Sequence, residues 1–114
     1  MGHNFGYLLR VDLTRRKIEK EPIDAAFAQK YYGGRGFTSR LQYDLIPKDV
    51  DPLGPENVLI FSPGALTGAP MLSSGRYVVG GRSPLTGILG DANGGGMFGA
   101  VLRRAGYSLL IVTG

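Results

Sequence analysis

The sequence contains no cysteine, which excludes disulfides, thiolate metal ligation and any iron–sulfur cluster held by these residues. Its one histidine, His3, sits near the N-terminus. With no thiol and only that imidazole, no nucleophile–base pair can be drawn. Asp44, Asp49 and Asp51 gather near a proline-rich loop, but their spacing matches neither a calcium loop nor a two-carboxylate site. No apolar run approaches membrane-spanning length, and the opening MGHNFGYLLRVDL lacks the basic-then-apolar order of a secretory signal. Charge is modest, 19% of residues with a net +4. The basic residues Arg10, Arg15, Arg16, Lys17, Arg103 and Arg104 are split between the two ends without interleaved stacking aromatics, so nucleic acid is not an expected partner. Together these absences describe a cytoplasmic chain, with no membrane partner, that binds something rather than catalyses anything.

What is abundant is glycine. Nineteen glycines and 7 prolines in 114 residues, with 43% hydrophobic residues, imply one globular domain rich in tight turns rather than a disordered or fibrous chain. Alternation predicts a hairpin from Phe5 to Leu13 and Lys17 to Glu21, joined by Thr14-Arg15-Arg16, a turn without the glycine that hairpin loops favour. Asp24 is placed to cap a helix running to Tyr32, which stops at Gly33-Gly34, and a second helix spans about Phe37 to Leu45. The apolar run over residues 57–62 reads as a buried strand. Further strands are expected over 76–81, 87–90 and 108–113, and a helix over 97–105 closed by Gly106. The fold class that follows is α+β, largely β, with mixed or antiparallel strands and about three short helices. A chain that ends on the buried-type strand SLLIVTG is expected to continue in the natural polypeptide.

The chemistry concentrates between Ser73 and Gly99. Strand alternation puts Arg76 and Val78 on one face and Tyr77 and Val79 on the other, and a planar guanidinium on a sheet can grip phosphate with two parallel hydrogen bonds. Gly90-Asp91-Ala92-Asn93-Gly94-Gly95-Gly96 reads as a polar turn that offers side-chain oxygens to a hard cation and bare N–H groups to an anion, ahead of a helix N-terminus. Each feature has a plain alternative: a solvated strand arginine, and an ordinary strand-to-helix turn. Gly33-Gly34-Arg35-Gly36 is not a dinucleotide fingerprint, because it follows a helix rather than a strand, and it reads as a tight helix-to-helix passage. Met97, Phe98, Tyr31, Tyr32 and Tyr43 read as packing residues.

Taken in order, Gly33-Gly34-Arg35-Gly36, DPLGPEN at residues 51–57, the Leu66-Thr67-Gly68 turn, Ser74-Gly75-Arg76, SPLTG at 83–87 and GDANGG at 90–95 closely resemble the N-terminal domain of the tungsten-dependent aldehyde:ferredoxin oxidoreductases. The resemblance runs from Gly6 to Gly114. It implies a β-rich base for a tungsten, less expectedly molybdenum, bis-pterin cofactor. Arg76, Asn93 and Gly95 match the family's cofactor contacts, and the Asn93 backbone carbonyl matches a contact to a magnesium ion bridging the pterins. It further implies a [4Fe–4S] cluster whose ligands are not in this chain, the remaining domains of the same enzyme, ferredoxin and an aldehyde as partners, and no catalytic residue within these 114. The turn at 14–17 and Ala69-Pro70-Met71-Leu72 depart from the family pattern. Alone, the chain is not expected to be active, and its uncovered surfaces make a homo-oligomer plausible. The competing expectation is a stand-alone module that binds a pterin or another anion without catalysis.

Overall fold

The computed structural model describes residues 7–23, 25–31, 34–46, 49–51, 53–63 and 76–114. His3, the Asp24 cap, Tyr32, Gly33, the Leu66-Thr67-Gly68 turn and Ser74-Gly75 lie outside these residues. The described chain forms strands β1 (Tyr7–Asp12), β2 (Lys17–Pro22), β3 (Leu59–Pro63), β4 (Tyr77–Arg82), β5 (Leu89–Gly94) and β6 (Tyr107–Thr113), with helices α1 (Ala25–Tyr31), α2 (Gly34–Leu45) and α3 (Phe98–Arg104). The six strands make one sheet in the order β2-β1-β6-β3-β4-β5, antiparallel throughout except for the parallel pair β1 and β6. The expected α+β, largely β class with mixed strands and three helices is what is found.

The last strand of the sequence is central in space. β6 joins the N-terminal hairpin to the β3-β4-β5 meander, and its apolar run is buried on one face, through Leu109 and Ile111, and half-buried on the other, through Leu110 and Val112. Leu109 and Ile111 point to one face, where they meet Ile60, Val58 and Phe37. Gly80, the ladder partner of Ile60, faces the same way. A Cβ there would lie 2.5 Å from Gln42 Nε2 and 3.0 Å from Thr38 Cβ, so α2 approaches β4 closely because position 80 has no side chain. Phe27 on α1 stacks on Phe37 with ring centroids 5.0 Å apart, tying the two helices over this core.

α3 covers the opposite face. Its Phe98 ring meets Phe61 and Tyr77 edge-on at 5.8 and 5.1 Å, and Arg103 Nη1 donates to the buried Ser108 hydroxyl on β6 at 2.6 Å. Burial pulls the Arg103 pKa down, yet a guanidinium starts so high that it stays charged. Gly106, at φ +100°, closes α3, and its N–H donates to the Arg103 carbonyl, as expected from the sequence.

Several expectations are corrected here. α2 begins at Gly34 rather than Phe37; a Cβ at Gly36 would sit on the Tyr31 carbonyl oxygen, so glycine permits a helix start this close to the end of α1. Tyr43 does not pack into the core: it is 79% exposed, with the Arg40 guanidinium over its ring. Met97 is likewise exposed, and Phe98 is packed on one side only. The glycine-free turn after β1 is made by Asp12, whose Oδ1 accepts from the Thr14 and Arg15 N–H groups, and by Arg16 in the left-handed region at φ +56°.

The largest correction concerns Gly90-Asp91-Ala92-Asn93-Gly94. The sequence reads as a turn, but Leu89–Gly94 is a strand in continuous antiparallel register with Tyr77–Arg82. Pairing with β4 overrides the local turn preference of Gly, Asp and Asn, as strand propensity commonly yields to context. The polar residues fit because β5 is the edge strand among the described residues, where charged and amide side chains discourage further pairing.

Candidate functional site

The three candidate residues converge at one end of the β4–β5 hairpin. The last ladder pair there is Tyr77 opposite Gly94. Arg76 immediately precedes that pair and Gly95 immediately follows it, so the two flank the same hairpin mouth. Asn93 pairs with Val78 and Asp91 with Gly80. Residues opposite each other on a ladder project to one face, so Asp91 and Asn93 lie on the face that carries Val78 and Gly80. Arg76, Asp91, Asn93 and Gly95 are all exposed.

The backbone beyond β5 is open. Among the described residues nothing lies within 4 Å of a Cβ built at Gly95 or at Gly96, and Gly96 has φ +88°. An anion can therefore approach these main-chain N–H groups without meeting a side chain, while a β-branched residue at Gly96 would be strained. Met97 at the α3 N-cap makes no side-chain cap. Arg76 supplies a permanent positive charge and a planar donor fork, Asn93 an amide and a backbone carbonyl, and Gly95 bare backbone. This donor set suits a phosphate-bearing ligand. Among the described residues no group of three or more His, Cys, Asp or Glu is placed to hold a metal ion.

The most distinctive sequence strings lie at the other end of the same hairpin. Ser83 Oγ accepts from the Leu85 and Thr86 N–H groups, Gly87 turns the chain at φ +73°, and Ser83 N–H donates to the Ile88 carbonyl. SPLTG is thus the β4–β5 loop. In DPLGPEN, Asp51 Oδ1 accepts from Leu53 N–H, and Asn57 acts as a short strand of its own: its Oδ1 accepts from Val58 and Arg82 N–H while its Nδ2 donates to the Arg82 carbonyl. A groove of about 420 Å³ lies at this end, lined by apolar residues such as Leu53, Leu59, Pro84 and Val112, and it includes none of Arg76, Asn93 or Gly95. Sequence reasoning missed two residues that shape the site, Tyr77 and Gln42, because their partners are glycines whose pairing only the fold reveals.

The family model described as aldehyde ferredoxin oxidoreductase, N-terminal domain, matches residues 8–114. The tungsten-containing aldehyde ferredoxin oxidoreductase of Pyrococcus abyssi is 45% identical over 96% of this chain and 19% of its own length. That of Pyrococcus furiosus is 44% identical over 100% of this chain and 19% of its own length. A solved structure, the active site complex BamBC of benzoyl coenzyme A reductase with 1,5 dienoyl-CoA, superposes with a TM-score of 0.93 at 37% identity, covering 97% of this chain and 17% of that one. The chain therefore spans about a fifth of the curated relatives it matches.

Proposed function

The chain belongs to the aldehyde ferredoxin oxidoreductase N-terminal domain family, and from that premise we propose that its β4–β5 mouth holds the phosphate-bearing part of a tungsten–pterin cofactor within an enzyme that oxidises aldehydes to acids. The relatives are tungsten-containing oxidoreductases. The observation that supports the reading is that Arg76, Asn93 and Gly95 stand at one hairpin mouth, beside glycine backbone that no described side chain approaches within 4 Å.

When bound, the metal–pterin group supplies the two-electron redox chemistry. The chain's own part is binding and placement. Arg76 would offset phosphate charge through its donor fork, Asn93 would present its side-chain amide to phosphate and its backbone carbonyl to a magnesium ion, and the Gly95 N–H would donate to the ligand. No residue of the chain is assigned a proton-transfer role. A [4Fe–4S] cluster, its cysteines and the transfer of electrons to ferredoxin belong to other domains of the same cytoplasmic enzyme.

The test is Arg76→Ala in the protein expressed from its own reading frame in tungstate-supplemented medium, with tungsten and pterin phosphate measured per folded protein. Loss of one charge-assisted contact is expected to lower retained cofactor by about tenfold, corresponding to ~1.4 kcal/mol. Undiminished tungsten and pterin, with undiminished turnover, would remove Arg76 from the site. Pterin bound without any oxidoreductase activity in the wild-type protein would favour a non-catalytic binding module.

A further inference from the structure

Among the described residues β5 is the edge strand of the sheet, with glycine at both positions 90 and 94. Such a strand has little side-chain packing of its own to fix Asn93 and Gly95, and an unheld arm would lose freedom again each time a ligand bound. Beyond its ladder with β4, two contacts among the described residues brace it, one from each face of the sheet. From the α2 side, Gln42, 5% exposed, reaches across side-chain-free Gly80 and donates from Nε2 to the Gly90 carbonyl at 3.4 Å. From the α3 side, the Tyr77 ring lies on Gly94: a Cβ there would be 2.6 Å from Cζ and 2.7 Å from the hydroxyl. Tyr77 is itself held by Phe98, with centroids 5.1 Å apart. The two anchor points bracket Asp91-Ala92-Asn93 and end where Gly95 begins.

We propose that Gln42 and Tyr77 are positioning residues that hold the glycine-bounded β5 arm in the conformation that presents Asn93 and Gly95 to a phosphate-bearing ligand. This rests on the binding role assigned above, but the clamp has its own readout. Amide hydrogen exchange at residues 91–95 reports whether the arm is held, whatever is bound.

The experiment compares Gln42→Leu, Tyr77→Ala and Tyr77→Phe in the protein expressed from its own reading frame, with Asn93→Ala as the benchmark for tungsten retention. Gln42→Leu and Tyr77→Ala are expected to speed exchange at 91–95 by about tenfold relative to β3 and β6, and to lower tungsten retained per folded protein several-fold. Tyr77→Phe keeps the ring over Gly94 and restores both. A second variant separates positioning from general weakening. Gly94→Ala drives a methyl into the ring and is expected to speed exchange in the wild-type background, but in the Tyr77→Ala background it stiffens a strand with room for it and slows exchange. Unchanged exchange at 91–95 in both Gln42→Leu and Tyr77→Ala would overturn the clamp. Faster exchange with full tungsten retention, while Asn93→Ala loses tungsten, would overturn the link between clamp and site. Full tungsten retention in Asn93→Ala would overturn the Asn93 side-chain contact, and with it the positioning role of Gln42 and Tyr77 toward that contact.

Discussion

At one end of the β4–β5 hairpin, Asp51, Asn57 and Ser83 commit their side chains to backbone N–H and carbonyl groups of the loops around them. At the other, Arg76, Asn93, Gly95 and Gly96 are exposed, and the last two offer backbone in open space. The same pair of strands thus carries a closed end, whose polar groups serve the fold, and an open end, whose polar groups face outward. An asparagine stands at each end, so residue type alone does not separate the two: Asn57 is committed to the Val58 and Arg82 backbone, whereas Asn93 is exposed on the outer strand of the described sheet.

The largest effect is expected at Asn57. Asn57→Ala leaves the Val58 and Arg82 N–H groups and the Arg82 carbonyl without their side-chain partner and is expected to cost about 2–3 kcal/mol, read as a lower denaturant midpoint with unchanged slope. A loss below half a unit on that scale would mean that the closed end is not held as described. The two hairpin loops give a smaller, paired test. Gly87 and Arg16 both adopt positive φ, so Gly87→Ala should destabilise and Arg16→Gly stabilise, each by roughly 0.5–1 kcal/mol; equal signs in thermal unfolding would refute the backbone explanation. The smallest effect on stability is expected at the open end. Gly95→Ala meets nothing and needs no positive φ, so its unfolding free energy should stay within about 0.5 kcal/mol of wild type, while tungsten retention falls if the Gly95 backbone approaches the ligand.

Most strands and all three helices could be read from periodicity and from Gly106, whose capping role needs no tertiary information. β5 could not, because Asp91, Asn93 and their flanking glycines favour a turn locally and become a strand only against β4. Strand order was equally hidden: nothing in Tyr7–Asp12 or Tyr107–Thr113 announces that they pair. Arg76, Asn93 and Gly95 were singled out by motif order, and the structure adds that they stand at one hairpin mouth. The strings that made the resemblance specific, SPLTG and DPLGPEN, turn out to be turn chemistry at the far end. Tyr77 and Gln42 were unreadable because each acts through the absence of a side chain on its neighbour.

The central place of β6 has a consequence for the order of events during synthesis. Tyr7 and Tyr107 are neighbours in the finished sheet, so the N-terminal hairpin leaves the ribosome as an unattached ribbon and the β3-β4-β5 meander follows it, the two still sharing no ladder. Only when residues 107–113 emerge can a single strand fasten both halves, and such long-range closure is slow compared with hairpin formation. The mouth formed by β4 and β5 is therefore assembled locally and early, but it acquires a rigid platform late, which gives a nascent chain a window in which chaperones or neighbouring domains can meet the uncovered faces of the sheet.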